Sequence, residues 1–298
     1  MGDIIYLNGQ FVQSEDAKVS VFDHGLLYGD GVFEGIRAYD GNVFKLQEHI
    51  DRLYDSAKSI VLEIPLSKQE MVEAVLSTLR KNGYSSAYIR LVVTRGVGDL
   101  GLDPMMCPRA NIIVIAQLLA LFPRELYEKG IDVVCASTRR NPSDVLSPKV
   151  KSLNYLNNIF VKLEAHAAGV SEALVLNADG YVVEGSGENV FIVKGGILYT
   201  PPTYLGALEG ITRATVLEIA AQQGYTVREQ PFSRHDVYVA DEVFLTGTAA
   251  EMMPVVKVDG RVVGSGKPGP YTLNLHREFQ KRTTVEGISV RSTPIPLF

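Results

Sequence analysis

The stretch Tyr28-Gly29-Asp30-Gly31-Val32-Phe33-Glu34-Gly35-Ile36-Arg37-Ala38-Tyr39-Asp40-Gly41 decides how this chain is read. Its glycines invite comparison with a dinucleotide-binding loop. The spacing, however, is G-x-G-x-x-x-G, and a strand rather than a helix follows, so that fingerprint is absent. The strand ends at Asp40-Gly41, the signal for a type I′ hairpin, and its return arm carries Val43-Phe44. Asn8-Gly9 repeats the signal between Ile4-Ile5-Tyr6-Leu7 and Phe11-Val12.

Outward from that hairpin, helices are expected over 47–60 and 68–81. The second opens on a capping box, Ser67 with Glu70, and stops at Asn82-Gly83. Residues 86–94 alternate, with Ala87, Ile89, Leu91 and Val93 on one face and Tyr88, Arg90, Val92 and Thr94 on the other, which is a strand with one polar face. The run 111–116 is a buried strand. From 118 to 126, around Phe122-Pro123, the pattern loosens and marks a junction. The expected division is therefore a small domain over 1–120, a linker over 121–126, a larger domain over 127–286 and a loose tail over 287–298.

The second domain starts with a strand at 131–137. A helix over 152–168 follows, with Leu153, Leu156, Ile159, Phe160, Leu163 and Ala167 as its apolar stripe. Strands come near 172–176, 181–184, 189–194 and 197–200, and a helix from Gly210 to about 223. Strands near 225–229 and 242–246, a hairpin at Asp259-Gly260 and a helix over 270–283 complete it. Strands and helices alternate without a strict βαβ rhythm, so the fold class is α+β in two domains.

Composition narrows the function classes. The chain has 298 residues, enough for two cores, and a net charge of −5, which does not draw it to nucleic acid or to anionic membrane. There is no apolar run of spanning length, and Met1-Gly2-Asp3-Ile4-Ile5-Tyr6 has no basic segment ahead of an apolar one. Tyr6 also defeats a myristoylation motif. Two cysteines, Cys107 and Cys135, make no disulfide framework. A cytoplasmic protein is expected. Gly266-Lys267 lacks the glycine and the Ser or Thr of a phosphate loop, the five histidines lack metal-ligand spacing, and no G-x-S-x-G elbow is present, so no metal site is expected.

Four features remain. Lys151 stands just ahead of the expected helix at 152–168, where the helix dipole would depress an amine's pKa, as a Schiff-base lysine requires; taken alone it reads as a solvated basic residue. Glu184 ends a strand before the turn Gly185-Ser186-Gly187, and a carboxylate so placed can keep a pyridine nitrogen protonated. Gly210-Ile211-Thr212 offers backbone N–H groups and a hydroxyl at a helix N-terminus. Thr246-Gly247-Thr248-Ala249-Ala250 is a second small-residue turn.

Taken in order with Tyr28 to Arg37, these runs resemble the fold-type IV aminotransferases: Lys151-Ser-Leu-Asn154-Tyr155-Leu156-Asn157-Asn158, Glu184-Gly-Ser-Gly187-Glu188-Asn189, Gly210-Ile-Thr212-Arg213 and Gly247-Thr248-Ala249-Ala250-Glu251. The resemblance covers residues 3 to 285. It implies a small α/β sandwich domain, a larger pseudo-barrel domain, and pyridoxal 5′-phosphate as cofactor. It implies that Lys151 holds the cofactor as a Schiff base and shuttles a proton; Lys149 fits less well, because the family's lysine is followed closely by the Asn-Tyr pair. Glu184 would pair with the pyridine nitrogen and Tyr155 with the ring's phenolic oxygen. Arg52, Ile211, Thr212 and Thr248 would grip the phosphate.

Tyr28-Gly-x-Gly-x-Phe33-Glu-Gly35-Ile-Arg37 with Tyr88-x-Arg90 resembles the branched-chain subgroup. By that likeness Phe33, Tyr88 and Tyr28 line an apolar pocket and Gly35 leaves room for branching. Thr248 and Ala249 present N–H groups to the α-carboxylate. Arg90 pairs with the distal carboxylate of glutamate or 2-oxoglutarate, with Arg37 as the next cation to consider. The partners implied are small amino acids and 2-oxo acids, in a homo-oligomer that is a dimer or a trimer of dimers. One departure stands out: Leu118-Leu119-Ala120-Leu121-Phe122 lacks a pocket tyrosine that enteric-type members carry there. A D-amino acid aminotransferase or an aminodeoxychorismate lyase shares the fold. A non-catalytic phosphate-ligand binding module is the alternative from another class, though such a module needs neither Lys151 nor Glu184.

Overall fold

The computed structural model describes residues 3–118 and 123–292. It divides into two compact units, one of Met1–Leu119, Val150–Asn154 and Arg282–Phe298, the other of Ala120–Lys149 and Tyr155–Lys281.

In the first unit the chain forms β1 (Ile4–Leu7), β2 (Gln10–Gln13), α1 (His24–Tyr28), β3 (Gly31–Tyr39), β4 (Asn42–Phe44), α2 (Leu46–Ser59), α3 (Lys68–Asn82), β5 (Ala87–Thr94) and β6 (Asn111–Gln117). Asn8 and Gly9, and again Asp40 and Gly41, both take positive φ, as a type I′ turn demands. The capping box of Ser67 and Glu70 opens α3. β3 and β5 pair antiparallel at the centre of the sheet, with Gly35 opposite Arg90 and Arg37 opposite Tyr88. Alternation then does the sorting. Val32, Ile36, Ala38, Ile89, Leu91 and Val93 join the core under α2 and α3, and the odd positions of β3 with the even ones of β5 face the other way.

The second unit holds α4 (Arg124–Lys129), β7 (Ile131–Arg139), α5 (Leu156–Ala167), β8 (Glu172–Leu176), β9 (Val182–Glu184), β10 (Asn189–Lys194), β11 (Ile197–Thr200), α6 (Ile211–Gln222), β12 (Thr226–Glu229), α7 (Arg234–Tyr238), β13 (Glu242–Gly247), β14 (Glu251–Val258), β15 (Arg261–Val262) and α8 (Pro270–Thr283). Its sheet runs β10-β13-β14-β7-β8-β9, and β9 pairs back to β10, which closes a ring. Val133, Leu174, Val190, Leu245, Met253 and Val255 on those strands belong to one buried cluster. This is the barrel-like domain that the resemblance implies.

Several expectations need correcting. The helix placed over 152–168 starts only at Leu156, because residues 152–154 lie beside β3: Phe33 N–H donates to Lys151 O and Leu153 N–H to Gly31 O. Residues 150–154 thus lie in the first unit rather than in a domain spanning 127–286. Of the linker at 121–126, residues 121 and 122 are outside the described residues, and Arg124 already begins α4. The tail from 287 is not loose at its start. Gly287–Ser289 forms β16, antiparallel to β4 on the edge of the first sheet, so its backbone groups have ladder partners. Residues 293–298 are outside the described residues. Within α5 only Val161 and Ala165 are buried, whereas Leu156, Ile159, Phe160 and Leu163 are about half exposed. The apolar stripe is real, but it is not core.

Candidate active site

In the first unit, the outward face of β3 and β5 gathers Phe33, Gly35, Tyr88 and Arg90, and Lys151 lies beside it. The Lys151 Nζ is 4.7 Å from the Phe33 ring centroid and the Arg90 guanidinium carbon 4.6 Å from it. A cation over an aromatic face is attracted by the ring's quadrupole, so each charged head has a favourable seat on an otherwise apolar ring. Arg90 also reaches the Tyr88 hydroxyl, at 3.3 Å. Position 35 is glycine because the Tyr88 hydroxyl lies over it: a Cβ there would stand 2.2 Å from that oxygen. Arg37 stacks on Tyr39, at 4.7 Å. The Tyr28 hydroxyl donates to Leu100 O.

The helix-terminal placement expected for Lys151 does not hold, since α5 begins five residues later. The lysine is held instead by backbone hydrogen bonds, its N–H donating to Ser56 Oγ on α2 and its carbonyl accepting from Phe33. Lys149, in the second unit, forms an exposed pair with Glu209 at 2.7 Å.

One element of this region has no counterpart in the motif reading. Glu34 is fully buried, and both its oxygens are engaged by α2: Oε1 by Arg52 Nε at 2.7 Å, Oε2 by Arg52 Nη2 at 2.7 Å and by His49 Nδ1 at 2.8 Å. Burial alone would raise the carboxyl's pKa, but the charge and hydrogen bonds of Arg52, with His49, outweigh it and bring it down to about 2. Burial lowers the pKa of His49, against the pull of Glu34. A signal for Glu34 is present in the sequence. It falls in the core phase of β3, between Val32 and Ile36, where a carboxylate demands a partner.

In the second unit, Glu184 ends β9. Its Oε1 pairs with Arg140 Nη2 at 2.8 Å, and its Oε2 accepts from Asn189 Nδ2 at 3.2 Å and from Leu208 N–H at 3.1 Å. Arg140 is itself buried and braced by Asn157, Asn158 and Gly185 O. Asn189 also donates to Leu208 O, and a Cβ at Gly210 would fall 1.9 Å from its Oδ1, so glycine is needed where α6 begins. Gly210 provides no side-chain cap for α6, whose first turn carries Ile211 and the buried Thr212. Thr248 and Ala249 lie in the three-residue turn between β13 and β14, where Gly247 pairs with Glu251. Glu251 takes φ +51 and pairs with His276 at 3.0 Å. Tyr155 precedes the first residue of α5. Sequence reading misses the roles of Arg140 and Asn189: Asn189 enters it only as part of a motif, and Arg140 sits in a loop with no local pattern.

The donor set suits a phosphorylated pyridine. Taken unit by unit, the first offers an amine, and the second a buried carboxylate paired with an arginine and a helix N-terminus without a side-chain cap, where an anion is favoured. Among the described residues no group of acidic, histidine or cysteine side chains could hold a metal ion, and no helix is long and apolar enough to cross a membrane.

Comparison with known proteins agrees with this donor set. Residues 31–258 match the model of the amino-transferase class IV family. A Methanocaldococcus jannaschii protein is 58% identical over 286 residues, covering 96% of this chain and 98% of that one. The branched-chain-amino-acid aminotransferase of Escherichia coli is 42% identical over 283 residues, covering 93% and 92%. The crystal structure of the T.th. branched-chain amino acid aminotransferase with pyridoxamine 5′-phosphate superposes with a TM-score of 0.91 at 43% identity, over 95% of each chain. With the lysine, the carboxylate and the two turns in the order the family requires, this chain belongs to the class IV aminotransferases.

Proposed function

We propose that this chain transaminates branched-chain L-amino acids with 2-oxoglutarate, using pyridoxal 5′-phosphate. The observation that carries the reading is the pairing of an amine and a guanidinium on one aromatic ring, Lys151 and Arg90 on Phe33, with Tyr88 folded over Gly35. It sets a reactive base beside an apolar surface that keeps a cation in reserve.

The cofactor, when bound, supplies the electron sink that stabilises negative charge on the substrate's α-carbon. Lys151 would hold it and would move the proton. Glu184, held by Arg140, Asn189 and the Leu208 N–H, would pair with the pyridine nitrogen. Tyr155 hydrogen-bonds the ring's phenolic oxygen. Arg52, the Ile211 and Thr212 N–H groups and Thr248 hold the phosphate, and Thr248 and Ala249 receive the α-carboxylate. Phe33, Tyr88 and Tyr28 would contact the branched side chain, with Tyr88 seated over Gly35. Arg90 leaves Phe33 to neutralise a distal carboxylate, with Arg37 on the same face.

A homo-oligomer, at least a dimer, suits two exposed apolar surfaces. One is formed in the first unit by Val21, Phe22, Leu26, Val97, Leu100 and Leu102, the other in the second unit by the outer face of α5. Such patches usually mark association sites. The two free cysteines suit a cytoplasmic setting.

The test is an absorption spectrum of the purified protein before and after amino acid. The cofactor band should shift with L-leucine and with L-glutamate and stay put with D-alanine. A shift with D-alanine and none with L-leucine would replace the reading by a D-specific one. Lys151→Ala should abolish turnover, and borohydride should fix the cofactor to Lys151; an adduct on Lys149 would overturn the assignment.

A further inference from the structure

We infer that Glu34 is a positioning residue for the phosphate end of the cofactor site: it fixes the plane of the Arg52 guanidinium and the spacing between that group and Lys151. The inference rests on the assignment of Arg52 to the phosphate above.

A carboxylate in the core phase of β3 is a poor choice for stability. An apolar side chain of similar volume would pack against α2 at least as well, since the desolvation of a buried pair consumes most of its attraction. What an apolar residue could not do is orient an arginine. Glu34 grips Nε and Nη2, one edge of the guanidinium, so the remaining N–H groups are turned away from it. His49 on the same carboxylate stops Glu34 from rotating. The Arg52 side chain keeps 14% exposure while Glu34 has none.

The same residues form a closed circuit through Lys151. Its carbonyl accepts from Phe33, the neighbour of Glu34; Glu34 holds Arg52; and Ser56, one turn further along α2, accepts from the Lys151 N–H at 3.1 Å. The Lys151 backbone and the guanidinium are thereby tied into one frame, which suits a rigid phosphorylated ring. Orientation achieved before binding costs the ligand no ordering of a long side chain.

Charge and orientation predict opposite outcomes, which makes the idea testable. A carboxylate near a phosphate dianion repels it, so a merely electrostatic Glu34 would weaken binding, and its removal would tighten it. We would measure the affinity of the full-length apo-protein for pyridoxal phosphate and for pyridoxal, which lacks the phosphate. Arg52→Met should weaken pyridoxal phosphate at least ~10-fold and pyridoxal less than ~2-fold; no loss there would defeat the Arg52 assignment itself. With that loss established, Glu34→Gln should weaken pyridoxal phosphate ~10-fold, leave pyridoxal within ~2-fold, and add nothing to Arg52→Met in the double variant. The ³¹P resonance of the bound cofactor should also move in Glu34→Gln. Unchanged or tighter pyridoxal phosphate binding would overturn the positioning role, as would equal losses for both ligands. Should Glu34→Gln not fold, Arg52→Lys keeps the charge without the two-point grip. Loss comparable to Arg52→Met supports orientation, and near-native affinity refutes it.

Discussion

In the first unit the candidate side-chain pocket stands on strands: Phe33, Gly35 and Arg37 on β3, Tyr88 and Arg90 on β5, each fixed by pairing register. In the second unit the candidate residues stand where elements end. Glu184 closes β9, Thr212 opens α6, and Thr248 and Ala249 lie in the turn between β13 and β14. A mid-strand side chain projects rigidly and can shape a pocket, whereas an element end offers backbone N–H groups and helix dipoles that suit anions and charge control. The difference suggests a division of labour by position within elements rather than by unit, with side-chain selection on the strands and charge control at the element ends; Lys151 and Arg52 place part of the cofactor chemistry in the first unit as well.

The strongest test of that division is Glu184→Gln. The amide cannot hold a pyridine nitrogen as a cation, so turnover should fall on the order of 10² or more for every substrate alike, with the unfolding midpoint little changed. Near-full turnover by single-turnover spectroscopy would remove the electron-sink role. Arg90→Met tests the other half. Leucine's half-reaction should stay within roughly tenfold, while glutamate's falls by about 10² or more, as when one partner of a buried pair is lost. Equal losses would show that Arg90 is structural or serves the α-carboxylate, and Arg37 would be tested next.

The smallest effect concerns pH. Glu34, held near 2 rather than 4.5, contributes stability that is present above pH 4.5 and lost as the pH falls towards 2. Glu188 is displaced the other way. Burial and the neighbouring Glu172 raise it to about 8, against the pull of Lys162, so its contribution is intact below 4.5 and lost as the pH rises through 8. Hydrogen exchange should therefore accelerate first in β3 and α2 at acid pH and in the turn at 185–188 at alkaline pH. Loosening of both at the same end of the scale would contradict these opposed shifts.

The mid-strand half of the site is legible because alternation is a local rule: Tyr88 and Arg90 read as one face from residues 86–94 alone, and the hairpin at Asp40-Gly41 fixes where β3 turns. The element ends are legible only as motifs. Lys151 is found by its motif but expected on the wrong support, because Ser152 to Tyr155 can be read as the first turn of a helix and only the distant β3 holds Lys151 to Leu153 beside it instead. Arg140 and Asn189 act on Glu184 through the fold, from positions 44 residues before it and 5 after it, and the arginine leaves no trace beside its own position. The stripe of α5 shows another limit: periodicity reports that Leu156, Ile159, Phe160 and Leu163 share a face, not what covers it. The missing pocket tyrosine at Leu118–Phe122 falls mostly on residues outside those described.

The order in which the chain is synthesised gives the edge strand β16 a further meaning. Asn42, on β4, donates to the carbonyls of Thr283 and Glu286, partners 241 and 244 residues downstream. The first sheet likewise waits for residues 150–154 to lie along β3. A nascent chain that has emerged only as far as β6 carries the strands of its first unit but neither its lysine segment nor its final edge. Contacts of such long separation form slowly and leave an open strand edge exposed meanwhile. The first unit to be translated is thus among the last to be finished, and a ribosome-bound intermediate with β4 exposed is where misassembly of this protein would begin.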